Sequence, residues 1–197
     1  MKASVILAHP RAGSLNHALA ASAAEGLRAA GFEVYWHDLY AEGFDPLLKA
    51  AEVGTTAFAD ALVARHAREI LEADRIVVVH PSWFFQVPAM LKGWVDRVLR
   101  ENVVFTMTEA GVEGRLRAEL ALVVTTANAS HRYEVDALGD PLTTFWRACV
   151  FEPAGVGQVE RRVVGPVRGS SADERAGWLR EVAERAAARP QGADYPS

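Results

Sequence analysis

Three short apolar runs constrain this chain more than anything else in it: V-I-L-A at Val5 to Ala8, R-I-V-V-V-H at Arg75 to His80, and E-L-A-L-V-V-T-T at Glu119 to Thr126. Each is rich in β-branched side chains and shows little polar alternation, the pattern of a strand covered on both faces. Each leads into a polar loop. After the first loop, Leu15, Leu19, Ala23 and Leu27 recur every four residues and form one face of a helix, and Gly31 supplies its stop.

Weaker signals fill the intervals. Glu33 to His37 reads as a strand, and about Thr55 to Ala73 as a helix. Pro88 opens a helix to about Arg100, with Leu91, Trp94, Val95 and Val98 on its inner side. Another helix is expected over about Pro141 to Val150, and a fifth strand near Gly155 to Glu160. A capping box of Ser171 with Glu174 starts a last helix that runs to about Ala188. Five strands alternating with five helices predict an α/β fold with a doubly wound, five-stranded parallel sheet. There is no internal repeat or shift in composition, so one domain is expected over residues 1–189, with 190–197 a loose C-terminal tail.

Composition narrows the class. At 197 residues and 50% hydrophobic, the chain can bury one ordinary core. A net charge of −4 and the lack of any basic run argue against nucleic acid as a partner. No stretch approaches the roughly 18 apolar residues of a membrane helix, and the first run is too short for a signal peptide. A cytoplasmic protein with no membrane insertion is expected. Cys149 is the only cysteine, which leaves no disulfide framework or cysteine cluster, and its apolar surroundings (Phe145 to Phe151) mark it as a small buried hydrophobe. The six histidines form no H-x-x-x-H pair with a carboxylate at helical spacing, so no metal site is expected, and His66 with Glu69 reads as a surface pair. No G-x-S-x-G elbow supports hydrolysis.

In a sheet of this kind ligands gather beyond the carboxyl ends of the strands, where the strand order reverses. That points to the loops after Ala8, His80 and Thr126. In the first, His9 to Asn16, Gly13 permits a tight turn and Ser14 can cap the following helix, whose free N–H groups suit a phosphate. Arg11 or His17 would add positive charge, although an ordinary strand-to-helix turn fits equally well. In the second, three consecutive aromatics (Trp83, Phe84, Phe85) suit the wall of a flat ligand site. Pro81 and Pro88 stiffen that loop and leave the N–H groups between them free for a ring edge; a core plug or dimer surface is the alternative. The third, Thr125 to Tyr133, is small and polar with a phenol at its rim, and alone it reads as a plain loop.

Together these loops resemble the NAD(P)H:quinone oxidoreductase family, the DT-diaphorases and their bacterial relatives. The matching pieces are A-H-P-R-A-G-S-L-N-H-A-L, A-D-R-I-V-V-V-H-P-S-W-F-F-Q-V-P-A-M-L-K-G-W-V-D-R-V-L, V-V-T-T-A-N-A-S-H-R-Y and the late S-A-D-E-R. They occur in order over roughly residues 3 to 180, with gaps after Tyr40. The resemblance implies a flavodoxin-like sheet of order 2-1-3-4-5 and a homodimer with a non-covalent FAD, or FMN as in some smaller members, near the subunit interface. It also implies NADPH or NADH as donor and two-electron, ping-pong hydride transfer to a quinone-like acceptor.

Carried over by position, His9, Ser14, Leu15 and Asn16 resemble contacts to the flavin phosphate and ribityl chain. Ser82, Trp83, Phe84 and Phe85 fall where the family lines the isoalloxazine ring. Thr125, Thr126, Ala127 and Asn128 replace a Thr-Thr-Gly-Gly stretch, and Tyr133 matches the active-site tyrosine. With the loop N–H groups after Thr126, Tyr133 is expected to stabilise charge on the N1–O2 side of the ring. Arg175, with Asp173 beside it, matches the far end of an FAD, and Phe105 and Met107 match a segment that covers the substrate pocket from the partner subunit. Where the family carries a second polar residue, a histidine, this chain has Gly139. Two other functions follow from the resemblance: a regulatory ancillary flavoprotein of a potassium efflux system, and a one-electron carrier like flavodoxin. The aromatic triplet between Pro81 and Pro88 speaks against the carrier.

Overall fold

Strands with apolar side chains on both faces need helices on both faces, and the chain provides them. The computed structural model describes residues 1–189; the expected tail, 190–197, lies outside the described residues. Strands β1 (Lys2–Leu7), β2 (Glu33–Asp38) and β3 (Arg75–Pro81) alternate with helices α1 (Leu15–Ala29), α2 (Ala61–Leu71) and α3 (Ala89–Val98). A hairpin of β4 (Phe105–Thr108) and β5 (Gly111–Gly114) follows. Then come β6 (Leu120–Thr126), α4 (His131–Leu138), α5 (Pro141–Thr144), β7 (Gln158–Val164) and α6 (Ala172–Ala187). The sheet runs β2-β1-β3-β6-β7, all parallel. Counted over the sheet strands alone, this is the expected order 2-1-3-4-5.

β3 and β6 are buried along their whole length. Ile76 and Val78 face one layer with Trp94, Trp146 and Phe151, and Val77 and Val79 face the other with Leu19 and Leu27. Each such aliphatic side chain contributes about 1.5–3 kcal/mol through burial. Helices α1 and α6 approach closely at Gly26, where a Cβ would lie 2.5 Å from the Ala183 carbonyl oxygen. The Ser171 capping box is present as expected.

Several expectations are corrected, each for a long-range reason. α2 begins at Ala61, capped by Asp60, not near Thr55. The preceding segment is held instead by buried Arg97, which donates to both Glu52 oxygens (2.9 and 2.8 Å) and to the Asp45 carbonyl (2.7 Å). The fifth sheet strand starts at Gln158 because Gly155 and its neighbours form a turn, with Gly155 at φ +98. From Phe145 to Phe151 the backbone is π-helical, and this winding turns Trp146, Val150 and Phe151 inward and leaves Cys149 exposed. Cys149 is therefore not buried. His66 is not at the surface either: Trp94 Nε1–H donates to its Nδ1 at 3.0 Å in the core, and Glu69 turns to His37 Nε2 at 3.2 Å. No helix among the described residues is long and apolar enough to cross a membrane.

Candidate functional site

The carboxyl ends of β1, β3 and β6 meet at a cleft of about 190 Å³. It sits where the chain, having built outward from β1 to β2, returns to lay β3 on the other side of β1. His9, Arg11, Ser14, Leu15 and Asn16 form one side, and Pro81, Ser82 and Trp83 the second. Thr126, Ala127 and Asn128, with Val167 from beyond β7, form the third.

The first loop folds as its residues dictate. Gly13 takes φ +68, and Ser14 accepts from the His17 N–H to cap α1. The first-turn N–H groups at Leu15 and Asn16 have no partner within the helix and form the positive end of its dipole. Asn16 is buried: its Nδ2 donates to Thr126 Oγ1 at 3.0 Å, and that hydroxyl donates back to Asn16 Oδ1 at 3.2 Å. The pair joins the first loop to the third. The Arg11 N–H donates to His9 Nδ1 at 3.1 Å, and burial pushes the His9 imidazole below its usual pKa.

The aromatic loop is arranged differently from the continuous wall expected. Trp83 and Gln86 exchange backbone hydrogen bonds (3.2 and 3.0 Å) around Phe84 and Phe85, whose φ values are +52 and +57. This is the mirror-image turn that glycine and asparagine favour, and a bulky residue there costs roughly 1–2 kcal/mol. Trp83 lines the cleft, Phe84 is 100% exposed, and Phe85 lies beside Tyr133 with ring centroids 5.8 Å apart. Three of the six loop N–H groups are used: Ser82 donates to the Thr126 carbonyl (2.8 Å), and those of Trp83 and Gln86 are paired with each other's carbonyls.

In the third loop Thr126, Ala127 and Asn128 line the cleft, but Thr125 does not. Its hydroxyl is buried and accepts from Arg161 Nε at 2.9 Å. The Ala127 N–H bonds the Val164 carbonyl (2.9 Å), so a backbone donor offered to a ligand lies from Asn128 onward. Tyr133 stands on α4, where a loop was expected, and is 54% exposed outside the cleft lining. Only Glu134 of α4 is buried. Arg161 grips both its oxygens at 2.9 Å and also holds Asp140 at 2.7 Å. Gly139 ends α4 in the left-handed region at φ +70, which explains a glycine at that position.

Arg175 donates to Ser170 Oγ (2.9 Å) and is not part of the cleft lining. Phe105 and Met107 lie on the β4–β5 hairpin, also outside the cleft of their own chain. Val167 and Arg161 escaped the sequence reading. Val167 carries no motif, and Arg161 lies 27 residues from Glu134, so nothing local joins them.

One trio among the described residues comes within metal-ligating reach: His37, Glu42 and His66, with ligand atoms within 4.8 Å of one another. The Trp94 bond to His66 Nδ1 requires the hydrogen of that neutral ring on Nε2, which faces Glu42 Oε2 at 3.2 Å. The lone pair that a cation would need is thus absent. Burial acts to raise the Glu42 carboxyl, but the two imidazoles hold it down at about 2.

A family described as having the flavodoxin-like fold matches residues 1–186. The chain belongs to that family. This flavodoxin-like protein is 30% identical over 167 residues to NAD(P)H dehydrogenase (quinone) 1 of Cavia porcellus, covering 74% of this chain and 60% of that protein. It is 36% identical over 92 residues to the FMN-dependent NADH:quinone oxidoreductase of Vibrio vulnificus, 47% of this chain and 45% of that protein. The chain thus spans about half to three fifths of the length of these relatives. A solved Streptococcus mutans structure superposes with a TM-score of 0.82 at 26% identity, covering 95% of this chain and 99% of that one.

Proposed function

We propose that the protein is a flavin-dependent NAD(P)H:quinone oxidoreductase, working as a cytoplasmic homodimer. The observation that carries this reading is the cleft itself, with the open N-terminus of α1 at one end and Trp83 in its wall, while Phe85 and Tyr133 pack on each other outside its lining. At about 190 Å³ it is smaller than the roughly 300–1,000 Å³ that encloses a whole ligand of flavin size. A phosphate and ribityl chain fit inside, with the ring lying along the aromatic rim. The names of the relatives from Cavia porcellus and Vibrio vulnificus support the same chemistry.

In this reading His9, Ser14, Leu15 and Asn16 hold the phosphate and ribityl end. Ser82, Trp83 and Phe85 line the ring, and Thr126, Ala127 and Asn128 close its pyrimidine side. Thr125 acts from behind, through Arg161. When bound, a flavin would supply hydride chemistry between a reduced nicotinamide and the quinone, the hydroquinone's second proton coming from solvent. Tyr133 Oη–H would be the donor to the pyrimidine edge, where the reduced ring would carry negative charge. Phe84, Phe105 and Met107 shape the acceptor site, the last two from a second copy whose hairpin closes the cleft. Arg175 favours FAD, and the Vibrio vulnificus relative's name favours FMN.

The test is direct. The purified protein should be yellow and release FAD or FMN on denaturation. It should oxidise NADPH or NADH with a simple quinone, giving the parallel double-reciprocal lines of ping-pong kinetics. A colourless protein that takes up neither flavin overturns the proposal.

A further inference from the structure

Behind the phosphate end of the cleft lies a relay that an ordinary helix cap does not need. Ser14 Oγ is 2.8 Å from His17 Nδ1, and His17 Nε2 is 3.1 Å from Asp38 Oδ2 at the end of β2. Asp38 Oδ1 accepts the N–H groups of Tyr40 (3.2 Å) and Ala41 (3.1 Å), a carboxylate arrangement that keeps the hydrogen on His17 Nε2. The neutral ring then carries its lone pair on Nδ1, and Ser14 must donate its only hydroxyl hydrogen to it. The serine oxygen, which also accepts the His17 N–H, is left with one free lone pair and no hydrogen to offer the cleft, the wrong polarity for an anion. A second proton on the ring reverses this: Nδ1–H donates to Ser14 Oγ, and the hydroxyl hydrogen is free to turn towards a phosphate.

We propose that His17 is a positioning residue that takes up a proton when a phosphate-bearing flavin seats at the N-terminus of α1, thereby selecting such flavins over riboflavin. The inference rests on the flavin reading above. Asp38 stabilises the charged ring, and the other titratable groups facing it are His9 and Tyr40. The proton arrives from solvent through a separate cavity of about 170 Å³ lined by His9, His17, Asp38 and Tyr40.

The experiment measures dissociation constants of FAD, FMN and riboflavin by flavin fluorescence from about pH 7 to about pH 9, above the phosphate's own second ionisation near 6. Uptake of one proton on binding weakens the phosphate-bearing flavin by up to about tenfold per pH unit over part of this range. Riboflavin affinity should stay flat, and His17→Asn should flatten the slope for the others. Imidazole nitrogen NMR of the wild type should show His17 Nδ1 gaining a proton on saturation. This readout, with the wild-type slope, decides the matter even if the variant fails to fold. A pH-independent constant, an equal slope for riboflavin or an unchanged Nδ1 overturns the inference while leaving the flavin reading standing. Failure of all three flavins to bind overturns both.

Discussion

Asn16 and Phe84 belong to loops of the same site, yet their surroundings are opposite. Asn16 is buried and bonded through both amide atoms to Thr126, so the inner wall of the cleft ties the first turn of α1 to the end of β6. Phe84 is fully exposed on a left-handed backbone that its side chain disfavours. Tyr133, beside Phe85 of the same loop, is also exposed, on a helix with one buried residue. In the inner wall the Asn16 and Thr126 side chains satisfy each other, whereas the exposed aromatic loop holds a large ring in water at a cost in stability. Such a cost is expected where a surface is kept for a ligand rather than for folding.

The sharpest way to break this contrast is at Arg161, which joins Thr125 of β6 to Glu134 of α4. Arg161→Ala leaves Glu134 buried without its partner and removes the bond to Thr125, at an expected cost of about 3–5 kcal/mol. Thermal melting should show a large drop, and the double variant Arg161→Ala/Glu134→Ala should recover part of it. Recovery absent from the double variant would mean that α4 is not held by this pair.

The next effect concerns the inner wall. His80 lies beneath it, donating from Nδ1 to the Pro81 carbonyl and accepting at Nε2 from Trp146 Nε1–H. Burial holds its pKa down at about 4, against 6.5 in an unfolded chain. Between those values only the unfolded state takes up the proton. The His80 contribution is therefore complete above about pH 6.5 and declines as pH falls to about 4, by up to about 3 kcal/mol. Urea unfolding at about pH 7 and about pH 5, with an NMR titration of the His80 ring, checks both the sign and its source.

At the rim the expected sign is reversed. Phe84→Asn places a residue tolerant of left-handed backbone where the phenyl group is fully exposed, and should stabilise the protein by about 1 kcal/mol while lowering quinone turnover. A destabilised variant would show that the ring contributes to folding after all. The smallest effect on stability is expected for Tyr133→Phe, within about 0.5 kcal/mol for an exposed site, yet turnover should fall several-fold. Unchanged turnover would remove the hydroxyl from the proposed chemistry.

Much of this was legible before any coordinate. The runs at Val5, Arg75 and Glu119 determined a parallel sheet because strands buried on both faces have few other uses for uninterrupted aliphatic residues. Parallel strands joined by helices then place every strand's carboxyl end on one side, so the loops after Ala8, His80 and Thr126 meet there by topology. Helix starts at Ser14 and Ser171 were equally readable, since a cap is a contact across three residues.

Tertiary structure alone decided the rest, for want of any local signal. Arg97 with Glu52 and Arg161 with Glu134 join residues 45 and 27 positions apart, and each pair fixes a segment whose own sequence reads as loop. The π-helical turn that exposes Cys149, and the Trp94 bond that turns His66 inward, depend on core packing that no periodicity encodes. That Trp83 alone of the three consecutive aromatics lines the cleft was settled the same way. Sequence periodicity records which residues prefer to be buried, whereas the partner that a polar or aromatic group finds depends on segments brought together only when the whole chain folds.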